Sequence, residues 1–281
     1  MKWNIVADSS CDLMKKDVEC EEVGFSTVNF TLRVGNRDYI DDEQLDILKM
    51  LDDMEACPTA SSSACPSPHE WAEQFKKAEQ TIAITISGNL SGSLNSAMAA
   101  AGIVMSEHPE KKFALLDSRA TGPEIALCIH HLAEWIKSHH TFETIVEKAE
   151  KFLEDTRTTF ALSSFNNLVK NGRMTKLTGF IAKSFGMWGV GIANEEGKIA
   201  MKGKARGTDK ALALILDDLR QRGFQGGEVA ISHCYNEKMA EKLRTSVLSY
   251  WNSARVTIMK TRGLDSFYAE RGGLIVAFCA E

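Results

Sequence analysis

Three times between Trp3 and Lys137 an apolar run ends in a polar or small-residue turn and gives way to a helix-forming stretch. The first run is Trp3 to Ala7, followed by Asp8-Ser9-Ser10. The second is Thr81 to Ile86, followed by the loop Ser87 to Ser93 and a helix over Leu94 to Met105. The third is Phe113 to Leu116, followed by Asp117-Ser118, the segment Arg119 to Pro123, and a helix over about Glu124 to Lys137. Apolar strands that alternate with helices predict a parallel sheet, because parallel neighbours need a crossover that lays a helix on the sheet. Between the first two units, Val23 to Tyr39 reads as two strands turning at Gly35-Asn36, a hairpin signal.

The rhythm changes after a polar helix over Phe142 to Asp155. A strand over Thr158 to Leu162 is followed by Val190 to Ala193 and Lys198 to Met201, which flank a Glu-Glu-Gly turn. Helices over Asp209 to Arg222 and Glu237 to Trp251 then alternate with strands Glu228 to Ser232, Arg255 to Met259 and Leu274 to Phe278. The 281 residues fit two domains at a prior of about 150 residues each. The fold class expected is α/β: residues 1–156 form a three-layer parallel-sheet α/β/α domain, and residues 157–281 an α+β mixed-sheet domain.

Charge narrows the function. The net charge is −5 and the positive residues are scattered, which argues against a basic stripe for nucleic acid or an anionic membrane surface. The apolar run before Asp8 is too short for a signal-peptide core, and no segment approaches the roughly 20 apolar residues of a membrane helix. Seven cysteines, with no Cys-x-x-Cys spacing, cannot all pair; a reducing cytoplasm is the expected compartment.

Two loops carry hydroxyls where a ligand could sit. Ser87 to Ser93 follows a strand and opens a helix, the position at which unpaired N–H groups and the helix dipole favour an anion. Ser91 or Ser93 could equally serve only as a helix cap. Thr59 to Pro68 places further hydroxyls before a helix over His69 to Glu79. Arg173 and Arg206, each beside a glycine turn, could present a guanidinium to a carboxylate or phosphate.

Other chemistries fit less well. Gly88-Asn89-Leu90-Ser91-Gly92 has one residue too many for a hydrolase elbow, and no histidine is placed as its base. The adjacent His130 and His131 point in different directions on a helix and lack metal-ligand partners at suitable spacing. The glycines of Gly186 to Gly191 do not follow the dinucleotide order, so neither a cofactor nor a metal is expected.

In order along the chain, Ile5 to Leu13, Ala64 to Trp71 and Ile86 to Ala97 resemble segments of the DegV family of bacterial fatty-acid-binding proteins. The middle segment is similar to that family's Thr-Ser-x-Pro-Ser-Pro, and the last to its most specific motif, Ser-Ser-x-Leu-Ser-Gly-Thr. Leu115 to Ser118, Asn171 to Met174 and Lys204 to Gly207 match later segments. The resemblance implies an acyl chain buried between the two domains and a carboxylate held by hydroxyls at Ser63 and Ser91, with Ser62 and Thr59 as alternatives to Ser63 and with Gly92 and Ser93 alongside. Many members carry His-Thr-Gly-Pro-Gly where this chain reads Tyr268 to Gly273, so Tyr268 would stand near the carboxylate as a neutral donor. The implied activity is that of a non-catalytic carrier. It presents a long-chain fatty acid to a separate ATP-dependent kinase subunit that makes the acyl-phosphate, with Arg173 and Arg206 available to the partner or the phosphate. The alternatives are a serine-dependent acyl hydrolase using Ser91 and a lipid sensor without a kinase.

Overall fold

The structure is a computed structural model that describes residues 2–57, 59, 61–174 and 186–280. Strands β1 (Trp3–Asp8), β2 (Gly24–Val28), β6 (Gln80–Thr85) and β7 (Lys112–Asp117) form a parallel sheet in the order β2-β1-β6-β7. Side chains of a strand point alternately to its two faces, and β1 uses both. Ile5 and Ala7 face α5 (Pro123–Lys137) and α6 (Phe142–Asp155), where Ile125, Ile129 and Ile145 are fully buried. Val6 and Ala83 face α3 (Pro68–Phe75) and α4 (Ser93–Glu107), packing with Trp71, Phe75 and Ala97. The three-layer arrangement follows from this two-sided apolar strand.

The stretch expected as one hairpin is three strands. β2 joins the parallel sheet, the chain turns at Asn29-Phe30, and only β3 (Thr31–Val34) and β4 (Arg37–Ile40) make the hairpin over Gly35-Asn36. Gly35 sits at φ +59, a conformation glycine adopts without strain. A third strand, β5 (Ser62–Ala64), lies in the loop Thr59 to Pro68 and completes a small antiparallel sheet in the order β4-β3-β5. Short helices α1 (Lys15–Val18) and α2 (Ile47–Ala56) fill the connections.

The six-stranded sheet runs β10 (Ile199–Arg206), β9 (Met187–Ala193), β8 (Thr156–Leu162), β13 (Leu274–Cys279), β11 (Glu228–His233), β12 (Arg255–Lys260), with β11 and β12 parallel and every other pair antiparallel. One face is covered by α8 (Thr208–Gln221) and α9 (Glu237–Tyr250) through Leu212, Ile215, Leu243 and Val247. On the other face Leu127 of α5 packs on Ala230 and Ala277, so one helix serves both large sheets. Two further short helices, α7 (Asn166–Lys170) and α10 (Gly263–Ala269), border the same face. It is there that the packing leaves a hollow.

Candidate ligand cavity

The hollow contains about 790 Å³ free of protein atoms, its open mouth and the solvent there included. One wall is the face of β8 and β13. Thr158, Phe160 and Leu162 are alternate residues of one strand and so share a face, and Ile275 pairs directly with Phe160. Two glycines of β9 shape this wall. A Cβ at Gly191 would overlap the Phe160 ring, and one at Gly189 the Phe165 ring, so glycine there lets both aromatic rings lie across the strand. The remaining wall comes from loops at the carboxyl ends of β6 and β7, through Ile86, Leu90 and Ala120, closed by Leu168, Ile199 and Leu264. In the parallel sheet β1 is followed by β2 on one side and β6 lies on the other; the cavity lies outside the strand ends near that switch, where open α/β sheets bind ligands.

The serine loop divides its hydroxyls among different tasks. Ser87 Oγ donates to Gly197 O at 2.8 Å, and Asn89 Nδ2 to Glu196 O at 2.7 Å, fastening the tip of the β9–β10 hairpin over the loop. Ser93 Oγ, fully buried, donates to Asp8 Oδ2 at 2.6 Å. Asp8 also accepts from Ser10 Oγ and from the Ile86 backbone at 3.0 Å, so the Asp-Ser-Ser turn buckles the loop onto β1. Burial raises the Asp8 carboxyl, and these hydrogen bonds partly offset the rise. Ser91 lines the cavity; its Oγ accepts from Ser93 N at 3.2 Å, leaving the hydroxyl proton to donate elsewhere.

Ser63 lines the same cavity. In β5 the residues alternate, with Ser62 and Ala64 exposed and Ser63 turned inward beside the fully buried Leu32. Ser63 Oγ and Tyr268 OH lie 2.8 Å apart. Burial raises the Tyr268 phenol, against smaller opposing effects of Ser63 and Arg173, so it remains a neutral donor. The Arg173 guanidinium lies 6.0 Å from the Tyr268 ring centre. Its Nε donates to Leu90 O at 3.2 Å and its Nη1 to Asn171 O at 2.7 Å, while Asn171 Nδ2 ties this turn to β5 through Ser61 O at 3.0 Å. Among the described residues no carboxylate pairs with Arg173.

Tyr268 is held in place by a helix with an unusual cap. The residue before α10, Arg262, makes no side-chain cap; instead Asp41 accepts from the backbone N–H groups of Gly263 and Leu264, each at 2.8 Å. Asp12 Oδ1 accepts from Arg262 N at 2.6 Å. Two buried carboxyls from the start of the chain thus satisfy the free N–H groups of a helix near its end.

Of the residues singled out in the sequence, Ser63, Ser91, Tyr268 and Arg173 line one cavity. Ser62 and Thr59 are exposed, Gly92 is an exposed cap with Cys65 nearby, and Ser93 is consumed by Asp8; none of these four lines it. Arg206 ends β10, exposed and away from the cavity lining. The apolar walls were not assigned from sequence, nor was Asp265, which lines the cavity beside Thr121 and accepts from its hydroxyl at 2.7 Å. The discarded Gly186 to Gly191 run supplies two wall glycines, a signal readable only once it is known to be a strand.

The fold and the site together define a class, that of α/β proteins with a parallel and a mixed sheet and a largely apolar cavity that carries hydroxyls in its lining. The chain belongs to the DegV family, whose model, described as an uncharacterised protein family, matches residues 2–280. A DegV domain-containing protein of Streptococcus pneumoniae R6 is 37% identical over 278 residues, 99% of each chain. Among solved structures, the Streptococcus pneumoniae fatty acid kinase (Fak) B3 protein loaded with linoleic acid is similar, with a TM-score of 0.96, 36% identity and all of both chains covered. A DegV family protein from Eubacterium eligens loaded with heptadecanoic acid has a TM-score of 0.94 and 34% identity over 99% of this chain and all of its own. No helix among the described residues is long and apolar enough to cross a membrane.

Proposed function

We propose that this chain binds a long-chain fatty acid and presents its carboxylate to a separate ATP-dependent kinase subunit for acyl-phosphate formation. The observation that carries the reading is the cavity, lined mainly by apolar side chains and bringing Ser63, Ser91, Tyr268 and Arg173 together. An acyl chain gains about 0.8 kcal/mol for each buried CH₂, so the walls supply affinity. A carboxylate needs donors to leave water, and two hydroxyls with an adjacent guanidinium meet that need. The fatty acids in the similar Streptococcus pneumoniae and Eubacterium eligens structures support the same ligand class. In this reading residues 1–156 carry the headgroup loops, and residues 157–281 close the acyl tunnel. The carboxylate oxygen, rather than any side chain, attacks the γ-phosphorus of ATP bound on the partner; the bond from that phosphorus to the β,γ-bridging oxygen breaks and ADP leaves. Arg173 steadies the headgroup, and the exposed Arg206 serves the partner or the phosphate. No histidine is among the described residues that line the cavity, so Ser91 has no imidazole base there, which favours a carrier over a hydrolase.

The test is reconstitution. Purified, oleate-loaded protein, a fatty-acid kinase subunit and ATP should yield acyl-phosphate, trapped as the hydroxamate. Ester hydrolysis by this chain alone that disappears with Ser91→Ala would overturn the carrier reading.

A further inference from the structure

Beneath the cavity, Asp12 and Asp265 are both buried, at 6% and 3% exposure. Each has one oxygen engaged: Asp12 Oδ1 accepts from Arg262 N at 2.6 Å and Asp265 Oδ1 from Thr121 Oγ1 at 2.7 Å. Their other oxygens, Asp12 Oδ2 and Asp265 Oδ2, are buried and complete no hydrogen bond of ordinary geometry, the Ser232 hydroxyl beside Asp12 being the one donor near enough to lower its carboxyl. Both converge on the space above Gly122: a Cβ there would overlap Asp265 Oδ2 and lie 3.0 Å from Asp12 Oδ2. Gly122, at φ +57, is the residue that leaves this space open. Two carboxylates left facing each other would be costly, whereas one proton between them satisfies both.

We propose that Asp12 and Asp265 share a single proton across the Gly122 loop, and that this proton holds α10 and positions Tyr268, making ligand retention pH-dependent. The proposal rests on the fatty-acid reading for its ligand, not for its proton. The path is short. Asp265, Leu264, Tyr268 and Ala269 belong to one two-turn helix, all four line the cavity, and the helix N-terminus hangs on Asp12 and Asp41. Burial, before any other cause, raises Asp265 well above the ordinary range and raises Asp12 to about 7. Through the lower step the pair goes from two protons to one and keeps that one; only as pH climbs through the higher step does it move toward two charges in a dry site, and the helix they seat loosens.

The neighbouring ionisable groups are occupied otherwise. Asp8 is bonded to Ser10 and Ser93, Asp41 caps α10, and burial raises the thiols of Cys11 and Cys234. From α2, Asp52 and Glu55 pair with Arg271 while Lys49 and Asp53 pair with each other; from β3, Arg33 pairs with Asp38. Arg262 bonds the Asp42 carbonyl and Glu270 accepts from Ser164, while Lys170 of α7 and His130 of α5 are exposed.

The experiment uses delipidated full-length protein with oleate, titrated calorimetrically from pH 7 upward through the alkaline range, together with hydrogen exchange of the α10 amides without lipid, corrected for intrinsic rates. Wild type should lose about tenfold in affinity per pH unit once above the transition, with α10 protection falling in step. Asp265→Asn, whose amide donates to Asp12 at every pH, should flatten both profiles; Asp12→Asn should do the same and serves where the first variant fails to fold. A flat wild-type profile, or a variant that keeps the wild-type slope, overturns the proposal. Absence of oleate binding at every pH, with α10 protection still falling in wild type alone, would refute the fatty-acid reading and leave the shared proton standing.

Discussion

Replacing Ser63 by alanine removes the hydroxyl that stands between Tyr268 and the proposed carboxylate, and the geometry predicts how the loss divides. A serine hydroxyl has one proton. Ser63 and Tyr268 are 2.8 Å apart, so when Ser63 donates to a carboxylate, Tyr268 must be the donor to Ser63. The first bond involves a charge and is worth about 1.5–3 kcal/mol; the second joins neutral groups and is worth about 0.5–1.5 kcal/mol. Ser63→Ala should therefore weaken fatty-acid binding roughly 10- to 150-fold, and Tyr268→Phe only about 2- to 10-fold. Because Tyr268 acts through Ser63, the double variant should bind about as weakly as Ser63→Ala alone. Calorimetry with delipidated protein measures all four corners of the cycle. A fatty alcohol of equal length, which carries no charge, should be far less sensitive to Ser63. Independent costs that add in the double variant would refute the relay. So would a Tyr268→Phe loss as large as that of Ser63→Ala.

Three further outcomes follow from other residues. Gly191→Ala should push the Phe160 ring into the cavity, lower stability by about 1–3 kcal/mol in urea unfolding and shorten the longest acyl chain bound; unchanged chain-length preference would contradict the wall geometry. Burial raises Glu124, which accepts from Thr158 Oγ1 at 2.6 Å, from 4.5 to about 7. A raised carboxyl contributes fully below its unfolded pKa and loses that contribution as pH climbs through the folded value. Stability should thus fall by about 3 kcal/mol between pH 4.5 and 7, and Glu124→Gln should remove that share of the slope in thermal melts. Arg206→Ala, altering an exposed strand end outside the cavity lining, should slow acyl-phosphate formation with a partner kinase and leave oleate affinity nearly unchanged; equal loss of both would count against its docking role.

Where pattern and packing agree, the elements were readable from the residues. The parallel strands β1, β6 and β7 are apolar runs and the helix Phe142–Asp155 has a helical period, and each pattern is local to its own segment. Two elements that build the site were not readable, for one physical reason: they are stabilised from far away in the chain. β5 is three small residues of weak strand propensity, and pairing with β3 makes it a strand and turns Ser63 inward while Ser62 faces out. α10 has no cap of its own, and its N–H groups are satisfied by Asp41, 222 and 223 positions away. The serine loop shows the same limit. Its hydroxyls look equivalent in sequence, yet contacts with Gly197 and Asp8 take Ser87 and Ser93 and leave Ser91 at the cavity. The ordered motifs pointed to the family, while the division of labour within each motif is a tertiary property.

The most direct test of the central claim is mass spectrometry of the organic extract from natively purified protein, quantified against protein concentration. The account predicts about one long-chain fatty acid per chain, reduced in Ser63→Ala protein prepared alongside. An empty extract, with no tight oleate binding by the delipidated protein, would contradict it.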